Sequence, residues 1–216
     1  MTTEDEGQLT RTERKERTRR AILDAALELT EQSSISALSL RHVARQVGIA
    51  PNAFYRHFSS ADELGLALVD ELFGTLRLLL RDVRSARPIS DGALGPSLEV
   101  LVDRVHAERT QFVFLTRERV GGSAAVRTAI RRELELFEAE IALDFARMPG
   151  AVQWSSEDLR VSANLIVTAL VAAVERLLYA QDRDSERSIV RATEKQLRML
   201  TIGARSWRSR TDDAST

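Results

Sequence analysis

Apolar residues recur at three- and four-residue intervals along almost the whole chain, and nowhere do apolar and polar positions alternate for the length of a strand. Ile22, Ala25, Ala26 and Leu29 share one face of a first helix expected over 12–32. Leu40, Val43, Ala44 and Val47 form the inner side of a short second helix, with Ser39 as its cap and Gly48 as its stop. Pro51 opens a third helix, where a missing N–H costs nothing. Ser60 and Glu63 have the spacing of a capping box for a fourth helix running to about Arg84. The segment "ARPISDGALGP", 86–96, holds two of the four prolines and is the main break. Further helices are expected at 97–107, 110–119, 123–147, 156–181 and 185–208, separated by Gly121-Gly122 and by Met-Pro-Gly at 148–150. The pattern predicts an all-α protein. A three-helix head, 1–58, is joined by a long fourth helix to a helical body, with 59–216 as the second domain.

Composition narrows the chemistry. There is no cysteine among 216 residues, which excludes disulfides, thiolate metal sites and thiol catalysis. The polar first twenty residues do not read as a secretory leader, and the longest apolar run, "LIVTALVAAV" from Leu165 to Val174, falls short of a membrane span. A soluble cytoplasmic protein is expected, with no membrane partner. The formal net charge of −1 conceals an asymmetry: residues 11–58 carry nine Lys/Arg against five Asp/Glu. Six of the ten residues from Arg11 to Arg20 are basic. A charge run by itself is usually a solvated helix face.

The stretch "VARQVGIAPNAFYRHFSSADEL" changes that reading. Two short helices around Gly48-Ile49-Ala50 form a helix-turn-helix, whose second helix enters the major groove by its leading end. Phe54 and Phe58, four apart, anchor the short helix to the head. Asn52 and Ala53 are left at the leading end to meet base edges, and Tyr55, Arg56 and His57 to grip phosphates. Ser39, Arg41 and Pro51 complete the candidate surface, with Arg14, Lys15 and Arg17 as a basic arm.

The run "LSLRHVARQVGIAPNAFYRHFSSADEL" closely resembles the DNA-binding head of the tetracycline-repressor (TetR) family of bacterial regulators, over about residues 14–72. The resemblance implies a ligand-binding body whose last two helices pair with a second chain. "RERVGGSAAVRTAI" (Arg117 to Ile130) and "QLRML" (Gln196 to Leu200), with "IAPNAFYRHF" and "DELGLALVDE", resemble the FabR branch, repressors of fatty-acid synthesis genes. That branch tends to carry Thr-Ser where this chain has Asn52-Ala53, so no operator sequence is carried over.

The resemblance implies an effector between the body helices, an acyl-CoA or fatty acid of long chain, with no cofactor or metal. Candidate lining residues are Leu98, Leu101, Val105, Phe112, Leu115, Phe137, Ile141, Phe145, Ile166 and Leu170, with Phe114 on the same inner faces; packed core is the plainer reading of each. Arg117, Glu118, Arg119, Arg127 and Arg131 are candidates for a polar mouth, or for ordinary helix-end charge. Ala163, Ala169, Ala172 and Ala173, among Val161, Leu165, Thr168 and Leu177, suggest close approach to a second copy, joined by Ile189, Leu197, Leu200 and Trp207. Two heads must reach successive major grooves about 34–36 Å apart, so a homodimer on double-stranded operator DNA is expected. The function expected is a repressor of fatty-acid metabolism genes, the alternative a regulator of efflux or degradation genes with another hydrophobic ligand. An enzyme is disfavoured: His42, His57 and His106 are scattered, and no His-Glu-x-x-His or Gly-x-Ser-x-Gly occurs. A basic membrane-surface module is disfavoured because the apolar face of the first helix is needed by the head's own core.

Overall fold

The computed structural model describes residues 10–86, 94–147 and 154–209, without the side chains of 79–86, 94–97 and 205. The Met-Pro-Gly break and most of the 86–96 break lie outside these residues. The described residues form helices and connecting turns, with no strand. The helices are α1 (Arg11–Leu29), α2 (Leu40–Val47), α3 (Pro51–Phe54), α4 (Ala61–Ala86), α5 (Leu94–Ala107), α6 (Arg109–Gly121), α7 (Ala124–Ala146), α8 (Ser156–Leu178) and α9 (Arg183–Ser206).

Local chemistry sets the ends. Thr10 caps α1 in a full capping box with Glu13, so Arg11, Arg14, Lys15 and Arg17 are all helical. α1 stops at Leu29, short of the expected Gln32, and a 3-10 turn over Ile35–Ala37 follows it. Gly48 ends α2 with φ 75 and ψ 28. Its N–H donates to the Arg45 carbonyl at 3.1 Å and that of Ile49 to the Ala44 carbonyl at 3.0 Å, a Schellman closure that needs the left-handed residue. Ser39 stands at the cap of α2, but its hydroxyl makes no capping bond, contrary to expectation. At α4, Ser60 Oγ accepts from the Glu63 N–H at 3.1 Å, whereas the Glu63 carboxylate reaches back one residue further than expected, to the Ser59 N–H at 2.7 Å. Ser123, Ser155 and Asp182 cap α7, α8 and α9. α5 starts at Leu94, inside the expected break, because Pro96 falls in its first turn, where the ring is tolerated.

One buried cluster runs from the head into the body. It joins Ile22, Ala26, Ile35, Val43, Phe54 and Phe58 of the head to Leu64, Leu68, Leu72 and Phe73 of α4, and onward to Phe114, Leu115, Phe137 and Val167. Gly65 lies at the junction: a Cβ there would come within 2.8 Å of Val126 and 3.3 Å of Ile35. A second cluster, Val105, Phe112, Ala173, Val174, Leu177, Leu178 and Ile189, holds α5 and α6 against α8 and α9. Ion pairs brace the body, Arg77 to Glu133 between α4 and α7 and Arg119 to Glu175 between α6 and α8.

Candidate nucleic-acid interface and effector site

The recognition segment is shaped by its two phenylalanines. Phe54 and Phe58 are buried, their ring centroids 6.2 Å apart. After four helical residues, the N–H groups of Arg56 and His57 donate to the carbonyls three residues back, at 3.3 and 2.8 Å. The Phe58 N–H then donates to the Phe54 carbonyl four residues back at 3.1 Å, so Phe58 returns to the core on the face of Phe54 while Tyr55 and Arg56 stay exposed. Pro51 and Asn52 are exposed at the leading end and Ala53 is half-buried. Ser39 and Arg41 are exposed at the start of α2.

Arg14, Lys15 and Arg17 are exposed on the first turns of α1. One turn further on, Arg19 lies over the Phe58 ring, 4.5 Å from its centroid, a residue that the sequence pattern alone did not single out. Its signal was the i,i+4 spacing from Lys15. His57 is half-buried, with Nδ1 buried and without a partner. Burial first, then Lys15, Arg19 and Arg56, hold its ring below the ordinary value of 6.5, and Glu16 opposes them. A neutral imidazole beside three cations is short of an anion, and a phosphate would supply one. Gln46 donates to Glu28 at 2.8 Å, tying α2 to α1.

The candidate effector residues occupy four helices. Leu98 and Val105 on α5, Phe112 and Leu115 on α6, and Phe137 and Phe145 on α7 are buried; Leu101, Ile141, Ile166 and Leu170 are half-buried. They are divided between environments. Leu115, Phe137 and Ile141 belong with the cluster that reaches the head, and Phe137 stacks 5.6 Å from Phe73. Phe112, Val105 and Leu101 belong with the second cluster. Phe145 faces Trp154 at 6.3 Å. An open cavity of about 590 Å³ lies elsewhere, at the α8–α9 corner, lined by Arg176, Tyr179, Gln181, Ser185 and Ile189 among others.

The expected polar mouth does not assemble. Glu118 is completely buried and faces the head. Arg117 faces the head as well, Nη1 donating to the Thr30 carbonyl at 2.6 Å. Arg119 pairs with Glu175, Arg127 donates to the Gly122 carbonyl, and Arg131 stands exposed 3.8 Å from Glu135. The partners of Arg117, Glu118 and Arg119 lie on other elements, which no local spacing reveals.

The expected pairing face also needs correction. Ala163, Ala173, Leu177, Ile189 and Leu197 are buried within the chain. The exposed stripe on α8 is Val161, Leu165, Thr168 and Ala172, and on α9 Met199 and Ile202 are exposed, followed by Trp207. α8 as a whole, with a mean hydropathy of 1.7 over its most apolar window, is long and apolar enough to cross a membrane, which the short run at 165–174 concealed. The core helix of a folded bundle meets the same criterion.

Residues 22–68 match the model described as bacterial regulatory proteins, tetR family, and residues 91–203 match the tetracyclin repressor-like C-terminal domain. The chain belongs to the TetR family. It is a DNA-binding transcriptional regulator, and members of this family are not enzymes. Solved TetR-fold structures agree in architecture. A transcriptional regulator from Rhodococcus sp. Rha1 is 18% identical, with 87% of this chain and 97% of that one covered and a TM-score of 0.69. FadR from Bacillus subtilis, solved with stearoyl-CoA, is 14% identical, with 85% and 98% covered and a TM-score of 0.66. AibR, solved with isovaleryl coenzyme A and operator DNA, is 14% identical, with 83% and 97% covered and a TM-score of 0.63.

Proposed function

We propose that this TetR-family chain is a homodimeric repressor whose hold on operator DNA responds to a hydrophobic acyl effector, a long-chain acyl-CoA or fatty acid, and that it controls genes of fatty-acid metabolism. The observation that carries the acyl assignment is that two proteins of the same fold, FadR and AibR, hold acyl-CoAs as different as stearoyl and isovaleryl. The sequence resemblance to repressors of fatty-acid synthesis supports it from the other side. The effector residues are the carbon-rich set on α5 to α8, from Leu98 to Leu170. The DNA-contacting set is Ser39, Arg41, Pro51, Asn52, Ala53, Tyr55, Arg56 and His57, with Arg14, Lys15 and Arg17 on α1. We assign 1–58 to DNA binding and 59–216 to effector binding and pairing, and place the protein in the cytoplasm with its DNA.

The exposed stripes of α8 and α9 are the pairing face, forming a four-helix bundle with their copies. The effector acts by preferring one head separation over another, since a ligand that binds both arrangements equally shifts nothing. One observation favours a second reading. Six of the ten candidate residues divide between two separate apolar clusters, which suits a compact hydrophobic ligand and a regulator of efflux or degradation genes. The two readings part in one experiment. Duplexes are selected from a random pool by the full-length protein, and the complex is challenged with palmitoyl-CoA and with free coenzyme A. A change in affinity with palmitoyl-CoA alone supports the acyl reading; no change with either removes it.

A further inference from the structure

The end of α6 grips the head at a place remote from the recognition helix. Glu118 has no exposed surface, and both of its carboxylate oxygens are engaged across the head–body boundary. Oε1 accepts from the Ile35 N–H at 2.9 Å and Oε2 from the Ser34 hydroxyl at 3.2 Å. Arg117, the preceding residue, donates to the Thr30 and Ser33 carbonyls at 2.6 and 3.4 Å. At the other end of α6, Thr110 donates to Glu31. One helix thus holds residues 30–35, the first part of the linker between α1 and the helix-turn-helix.

The chain makes room for this. A Cβ at Gly122 would fall 2.6 Å from Glu118 Oε2 and 2.6 Å from its carbonyl oxygen. A buried carboxylate is costly unless its oxygens are paired, and a buried N–H left without an acceptor is costly in turn. The contact therefore persists as a unit. Ile35 is fully buried in the cluster that also contains Phe54 and Phe58, so the gripped residue and the recognition segment move together.

We infer that Glu118 is a positioning residue for DNA recognition: it fixes the orientation of the head on the body and thereby the spacing of half-sites the dimer accepts. Without it, the head is attached through α4, apolar packing and the outer contacts of Arg117 and Thr110. With it, the head is held on two sides, and rotation about the α3–α4 turn requires breaking two hydrogen bonds to a buried carboxylate. The inference rests on the two-headed DNA-binding reading and not on the acyl effector.

The test uses duplexes selected by the parental full-length protein, then rebuilt with one base pair inserted or removed between the half-sites, and a single half-site as control. Hydrogen exchange at the Ile35 amide reports the grip itself. The parental chain is expected to show a protected Ile35 amide and to lose about tenfold in affinity at the wrong spacing, the scale of one disrupted base contact. Glu118→Ala is expected to unprotect Ile35, bind the single half-site as the parent does, and lose less than about threefold on the spacing change. Glu118→Gln, which keeps an acceptor for Ile35, should restore much of the sharp spacing preference. If Glu118→Ala does not fold, Ser34→Ala and Glu118→Gln carry the test, Ser34→Ala with a partial broadening. Unprotected Ile35 with an unchanged spacing profile would overturn the inference alone, as would protection that survives Glu118→Ala in a folded protein, or parental profiles in both milder variants. A parental chain that selects one unpaired half-site would overturn the two-headed reading and the inference with it.

Discussion

His57 is where the electrostatics of the head are most directly measurable. Its ring value is held below 6.5 by burial and by Lys15, Arg19 and Arg56, so in the free protein it is neutral at pH 7. For folding, the sign is unfavourable on the acid side. Between the lowered folded value and 6.5 the unfolded chain binds more protons, so this group's share of stability falls as pH drops through that window. For DNA the sign reverses. In the proposed complex, a phosphate at the cluster would raise the ring's value, and complex formation would take up a proton. Affinity is expected to rise as pH is lowered through the neutral range, then to level off below the free-protein value. Fluorescence anisotropy at constant ionic strength checks this, with His57→Gln expected to flatten the profile. An equal pH dependence in His57→Gln would assign it to another group. At the neighbouring position, Tyr55→Phe should weaken all duplexes alike by about 1 kcal/mol, the worth of one hydrogen bond. Relaxation at a single base position would instead make Tyr55 a base reader. The exposure of Tyr55 and Arg56 was legible in the sequence because it follows from the local spacing of Phe54 and Phe58. Glu118 was not, since its acceptor role depends on a backbone N–H 83 residues away.

At the scale of elements, the basic arm is the first two turns of α1, capped by Thr10. In the proposed complex, these exposed side chains on a rigid helix would meet a fixed row of phosphates. Replacing Arg14, Lys15 and Arg17 by Ala is expected to make the slope of log affinity against log salt shallower, by about 0.9 for each phosphate that is no longer neutralised. An unchanged slope would leave the run as a solvated face. Glycines carry the second element-scale expectation. Gly65→Ala gains helix propensity of about 1 kcal/mol but drives a methyl group into Val126 and Ile35, both fully buried, an overpacking cost of about 1–3 kcal/mol. A net loss of stability is expected in a thermal melt; a rise would show that the α4–α7 junction yields. Helix identities were readable throughout because Gly48, Pro51, Gly121 and the serine caps are sequence-local signals. The misplaced edges follow from tertiary effects. α1 ends early because the linker after it is held by α6, and Ala163 and Leu197 are buried inside the chain because helix periodicity shows which residues share a face but not what that face meets.

At the scale of the whole molecule, pairing and effector response depend on surfaces that one chain leaves exposed or divided. Leu165 on α8 and Ile202 on α9 are about half exposed, at 50% and 55%. Charging both, Leu165→Glu with Ile202→Glu, is expected to give a folded monomer by sedimentation that keeps single half-site binding and fails on the paired site. A dimer that survives this change would place the interface elsewhere. The proposed effector residues are distributed over α5 to α8, and the decisive measurement of the acyl assignment is a titration of the protein–duplex complex with saturated acyl-CoAs of graded length. Each buried CH₂ contributes up to about 0.8 kcal/mol, so the midpoint is predicted to fall roughly three- to fourfold per added carbon and then to plateau where the chain outgrows its site, with Phe137→Trp moving that limit to shorter chains. A flat response across the series, with Phe137→Trp lowering only stability, by about 1–3 kcal/mol, would contradict the acyl effector and return those side chains to packed core.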